Sequence, residues 1–240
     1  MDFYNELLKR GYEKILHKGM EVSPGNISQA VFDGRVLPSA LNKIIIKEDL
    51  IETIAFIKET IDLQRDRKTL IELPFVMLGY ENEKGEVIIE KIEIDYDKFE
   101  NSIMSNNEQV ANFEGYLTEK INEYAKSSTY KKPVIIHGHT HPNAEKRNVP
   151  TEWTNAFSFA DMQGYKDLSN SIANFNKLTH KDIQVAGMVV NSAGDFNAVF
   201  CDVAHNNMFY KIDNIELENY GKLPSYKGST MFSEYTERNL

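Results

Sequence analysis

The chain has 240 residues, 41% of them hydrophobic and 26% charged, with a formal net charge of −9. That balance suits a globular domain with a core, and the acidic surplus argues against a nucleic-acid role, because phosphate binding calls for basic surface. No apolar run approaches the ~20 residues that span a bilayer, the N-terminus lacks a basic stretch followed by an apolar core, and the single cysteine, Cys201, allows no internal disulfide. A soluble cytoplasmic protein is expected.

In chain order, residues 2–18 place Tyr4, Leu8, Tyr12 and Ile15 at helical spacing with charges between them. Residues 22–27 (Val-Ser-Pro-Gly-Asn-Ile) break that pattern. Residues 43–46 read as a β-branched strand, and 47–62 as a helix with Leu50, Ile54, Ile57 and Ile61 on one face. Strands are predicted over 72–80 and 86–95, joined by the polar turn 81–85, and residues 96–107 read as a polar loop. Val110, Phe113, Leu117, Ile121 and Tyr124 mark the next helix, which ends near Ser127. A strand over 132–141 leads into a long spacer, 142–157, and then a helix carrying Met162, Tyr165, Leu168, Ile172 and Phe175. Strands over 183–190 and 196–203 flank the Gly-containing turn 191–195; one last strand is predicted over 208–215, and a polar tail from Gly221. Strands and helices alternate without strict βαβ repetition, so the expected fold is α/β, a mixed sheet flanked by helices.

Chemistry concentrates in Val134-Ile-Ile-His-Gly-His-Thr-His-Pro142 and, a short way on, Ser158-Phe-Ala-Asp161. Strand side chains alternate faces, so His137, His139 and His141 project from the same face of a strand end, where neutral imidazoles can grip a metal. Ser158 reads as a helix N-cap, with Asp161 in the first turn pointing back to the strand. Two His and one Asp would leave the fourth tetrahedral position of zinc open, the pattern of catalytic sites. Each piece also has a plain alternative: a solvated, idle histidine cluster, and an ordinary N-cap with an acidic first turn.

A third piece lies upstream, Glu72-Leu-Pro-Phe-Val-Met-Leu-Gly79. With it the chain resembles the JAMM zinc metalloproteases (MPN+ or JAB domain), whose pattern is a Glu opening a hydrophobic strand that ends in Gly, then His-x-His-Pro, then Ser-x-x-Asp. Glu72 through Gly79, His139-Thr140-His141-Pro142 and Ser158-Phe159-Ala160-Asp161 follow in that order. The stretch between His141 and Ser158 departs from the pattern, being about twice the family's usual length. The Gly-His-Thr-His segment also resembles the metal-site closure of calcineurin-like phosphoesterases, but the earlier Asp-x-His, Gly-Asp and Gly-Asn-His motifs of a two-metal site are missing from the sequence.

The JAMM resemblance implies an MPN/JAB-like (cytidine deaminase-like) domain over residues 42–218, with 1–41 as an N-terminal helical extension and 219–240 as a C-terminal tail. It implies one zinc ion per chain held by His139, His141 and Asp161, Glu72 as general acid/base, and the Ser158 hydroxyl as oxyanion stabiliser. The implied activity is zinc isopeptidase or peptidase cleavage after the C-terminus of ubiquitin or a ubiquitin-like protein, as in deubiquitinases. Hydrolysis of a small amide or a sulfur-carrier protein, and a non-catalytic MPN scaffold, are the alternatives. The partners expected are a ubiquitin-like protein or its conjugates, and a protein partner met through the N-terminal extension or the 143–157 loop, which carries the only tryptophan, Trp153. His137 lies outside the family pattern and is expected to be structural; Cys201 is expected to be a small buried filler.

Overall fold

The computed structural model describes residues 43–63, 72–96, 115–141, 159–191, 194–202, 208–212 and 214–223. Residues 1–41, the spacer 142–157, Ser158 and the tail beyond 223 lie outside that set. Nine strands form one mixed sheet: β1 (Lys43–Ile46), β2 (Pro74–Glu81), β3 (Glu86–Ile94), β4 (Pro133–Thr140), β5 (Gln184–Val190), β6 (Phe196–Asp202), β7 (Met208–Ile212), β8 (Asn214–Leu217) and β9 (Gly221–Lys222). Their spatial order is β7-β6-β5-β4-β2-β3-β1-β8-β9. Three helices are described: α1 (Ile51–Leu63), entered through a 3-10 turn at Glu48–Leu50, α2 (Tyr116–Ser127) and α3 (Phe159–Thr179). The expected mixed α/β architecture is therefore present.

Three local expectations shift. Tyr96 is already helical where a loop was predicted, and α2 begins at Tyr116, with Gly115 as its N-cap, while the rest of that loop and the expected helix positions Val110 and Phe113 lie outside the described residues. The single last strand expected over 208–215 is two strands, β7 and β8, on opposite sides of the sheet. Ile212 pairs with Ala198 of β6, while Asn214, two residues on, pairs with Lys43 of β1. Two residues of chain reach at most ~7 Å, so the sheet must curl until its two ends meet there. The strand β9 takes the first residues of the expected tail into the sheet.

The curl separates two cores. The enclosed face gathers Ile44, Phe75, Met77, Ile89, Ile136, Met188, Val190, Ile215 and Leu217 around Ile54, Ile57 and Ile61 of α1. On the outer face Val76, Leu78, Ile135 and Val185 pack against Leu117, Ile121 and Ala125 of α2 and Ile172 of α3. With both faces covered, all eight residues of β4 are buried, which is why it reads as an almost unbroken apolar run up to its histidines.

The pair β4 and β5 is parallel, with α3 in the crossover between them. In such units the carboxyl end of the first strand faces the amino end of the helix, where free backbone N–H groups gather and ligand sites tend to form. That end of β4 carries the histidines. Among the described residues, no helix is long and apolar enough to cross a membrane.

Candidate metal centre

Residues paired across β2 and β4 share a face, and Val76↔His137 and Pro74↔His139 put both histidines on the outer face with α3. Gly138 points the other way, onto the ring of Phe75, its partner across the ladder. A Cβ at 138 would lie 2.2 Å from that ring, so only glycine fits between the two histidines while Phe75 holds the enclosed core. His141 follows the last strand residue, and its backbone N–H donates to the Val190 carbonyl of β5 at 2.7 Å.

Three donor groups converge. His139 Nε2 lies 2.9 Å from His141 Nε2. Asp161, in the first turn of α3, brings Oδ1 to 3.3 Å from His139 Nε2 and Oδ2 to 3.7 Å from His141 Nε2. Donors at ~2.0–2.1 Å from a tetrahedral zinc sit about 3.3–3.4 Å apart, and the three separations bracket that value. Two imidazole nitrogens that close need either a shared proton or a cation between their lone pairs. Both histidines are 2% exposed, so water does little to screen them. Burial alone would push the Asp161 carboxyl up; the charge of His139 and hydrogen bonds from His139 and His141 outweigh it and hold the carboxyl well below its usual range. His139, His141 and Asp161 together could hold a metal ion.

Of the three histidines expected to project from one face, the structure brings His139 and His141 to that point and not His137, which was expected to be structural. His137 is buried one pleat back, edge-on to the ring of Tyr165 with centroids 5.1 Å apart. Burial and the neighbouring His139 hold it well below its ordinary pKa, so it packs as a neutral ring.

Glu72 reaches the same end of the sheet through its neighbour. The Leu73 N–H donates to Thr140 Oγ1 at 2.9 Å, and the Thr140 N–H donates to the Leu73 carbonyl at 3.1 Å. Pro74 has no N–H, so this pair of bonds continues the β2–β4 ladder past it and holds the backbone next to Glu72 at the end of β4 that carries His139 and His141. The half-buried Glu72 and Asp161 both act electrostatically on Tyr165, whose hydroxyl is raised far above its usual range, first by burial and then by these two charges. Ser158 lies outside the described residues, as do Trp153 and the whole 143–157 loop.

Sequence reasoning passed over Thr140 and Tyr165. Thr140 looked like the spacer in His-x-His, although a proline opening the neighbouring strand signals a missing ladder bond. Tyr165 looked like one more apolar helix position, although it falls one turn after Asp161. No family model matches the chain, and no curated protein matches it.

Proposed function

We propose that this chain is a JAMM-type zinc metalloprotease that hydrolyses the isopeptide or peptide bond after the C-terminus of a ubiquitin-like protein. The supporting observation is the meeting of His139, His141 and Asp161 at the strand end to which Leu73 and Thr140 also tie Glu72. Two imidazoles and a carboxylate suit zinc among the common divalent metals. The mixed sheet with helices on both faces is compatible with an MPN/JAB fold.

His139, His141 and Asp161 would hold the zinc. Bound there, zinc would act as a Lewis acid, bringing water towards ionisation near neutral pH and polarising the scissile carbonyl. Glu72 takes the proton from the attacking water and returns it to the leaving amine, which must depart protonated. The Ser158 hydroxyl donates a hydrogen bond to the carbonyl oxygen as it gains negative charge. The ubiquitin-like tail is extended, and it binds as an added strand whose main-chain hydrogen bonds supply affinity without reading side chains.

The test uses purified chain, metal analysis and ubiquitin carrying a C-terminal fluorogenic amide. About one zinc per chain is expected, lost in the His139→Ala His141→Ala double variant. Glu72→Gln should keep the zinc and lose at least ~100-fold in turnover, since it deletes the proton carrier alone. Zinc retained in the double variant, or near-normal turnover by Glu72→Gln, would overturn the assignment. Cleavage of a small acyl amide with none of the ubiquitin amide would move the substrate to the small-amide class.

A further inference from the structure

We propose that Tyr165 is a positioning residue for the metal centre: seated on Gly187 and against His137, it sets the level at which α3 presents Asp161 to His139 and His141. This rests on the metal-centre reading of those three residues and adds to it the element that aims the carboxylate. Asp161 and Tyr165 are four residues apart on α3, hence one turn apart on the same face.

A helix laid on a sheet by apolar contacts alone has several settings of similar energy, differing by small slides and tilts. At its carboxyl end α3 is fixed by Asn176, which donates to the Ile183 carbonyl at 2.8 Å and accepts from the Ile183 N–H at 3.1 Å, just ahead of β5. That clamp is 15 residues from Asp161, ~22 Å along the axis, too far to hold a carboxylate to tenths of an ångström. In the first two turns of α3, among the described side chains, Tyr165 alone is buried.

Its seat is specific. A Cβ at Gly187 would lie 2.2 Å from the Tyr165 ring, so the ring rests on bare β5 backbone, in the space any other residue would fill. The hydroxyl donates to the Met188 carbonyl at 3.2 Å, one residue further along β5. On the neighbouring strand His137, the partner of Gly187, meets the ring edge-on. Tyr165 therefore gauges α3 against both strands at once, and His137 is two residues before the ligand His139. The glycine inside the apolar run of β5 is the seat of this contact.

The experiment loads the metal-free full chain with cobalt(II), whose visible bands report ligand number and geometry. The unmutated chain should bind one cobalt with the intense bands of a four-coordinate site. Gly187→Ala, which lifts the ring, and Tyr165→Leu, which removes it, should each weaken cobalt binding at least ~10-fold, in the range of lost supporting contacts around metal ligands, and alter the bands. Tyr165→Phe keeps the ring and should restore the bands. Ile172→Ala loosens α3 two turns further on and should leave affinity and bands unchanged. Should Gly187→Ala fail to fold, Tyr165→Leu decides. Cobalt binding lost in Asp161→Asn but normal in Tyr165→Leu would overturn the role of Tyr165 alone. Equal weakening in Ile172→Ala would overturn it too, reducing the contact to general packing. An unmutated chain that takes no cobalt would overturn the metal centre and this role with it.

Discussion

At the scale of single residues, the site depends on what stands between and beside its ligands. Gly138 is fixed by the Phe75 ring on one face, so that His139 and His141 can work on the other. Thr140 serves the strand: its hydroxyl accepts the Leu73 N–H, which among the described residues no backbone carbonyl takes. Thr140→Val keeps size and branching but leaves that buried donor unpaired, at a cost of about 1–3 kcal/mol. Denaturant unfolding should show this loss, and Thr140→Ser should recover most of it. The zinc content proposed above should stay at the unmutated value, because no proposed ligand is touched. The proposed hydrolysis should slow roughly 10-fold through the freed Glu72 segment. A Thr140→Val chain as stable and active as the original would mean that the clamp does not hold Glu72.

At the scale of elements, helices are tied to the sheet by polar side chains as well as by apolar stripes. Lys181, just after α3, donates from Nζ to the carbonyls of Ala125, Lys126 and Ser128, closing the carboxyl end of α2. More consequential is Lys58 on α1, a charged group 1% exposed on the enclosed face, with the Phe196 ring 5.4 Å from its Nζ. Burial lowers it from 10.5 to about 8, against the opposing pull of Asp195. Between about pH 8 and 10.5 the unfolded chain therefore binds more protons at this position than the folded one, and stability rises with pH through that window. Below it both states hold the proton and the burial penalty is complete, on the order of 3 kcal/mol; above it neither does. Lys58→Met should be more stable than the original at pH 7 by about 1–3 kcal/mol, and the two stability curves should converge as pH approaches 10.5. Curves that run parallel across that range would show that Lys58 gives up no proton on folding.

What was legible in the sequence follows from the range over which each feature is set. Periodicity placed α1, α3 and the strands 43–46, 74–81, 86–94 and 133–140 to within a few residues, because burial of one face or of both is a local pattern. His139 and His141 stood out because alternate spacing on a strand is local as well, and Asp161 because it follows a candidate N-cap, Ser158, by three residues. The seat of Tyr165 on Gly187 and the bond between Thr140 and Leu73 were not legible; each joins residues from distant strands and helices. Residues 208–215 read as one strand although Asp213-Asn214, residues that favour turns, interrupt the apolar run, and that local break does not say that the two halves serve opposite ends of the sheet.

That division carries a consequence for the whole molecule. The strand β8 lies between β1 and β9, and Ile215 and Leu217 bury their side chains in the enclosed core. Around it, Lys43 bonds Glu216 at 2.7 Å, while Asn219 and Tyr220 donate to Glu48 at 3.0 and 2.8 Å, tying the entry of α1 to the β8–β9 turn. Two fully buried aliphatic side chains are worth roughly 3–6 kcal/mol, comparable to the whole stability of many domains. Removing β8 would also strip the ladder from β1 and expose its edge. A chain ending at residue 213 should therefore lose its cooperative thermal transition, although every proposed zinc ligand lies upstream. A chain ending at residue 223 keeps β8, β9 and the half-buried Leu223, and should retain a cooperative transition. Circular dichroism melts of the two truncations decide it. A cooperative transition at the original temperature in the shorter chain would mean that the sheet needs no closing strand, and that the contacts of β8 add nothing to the fold that carries the site.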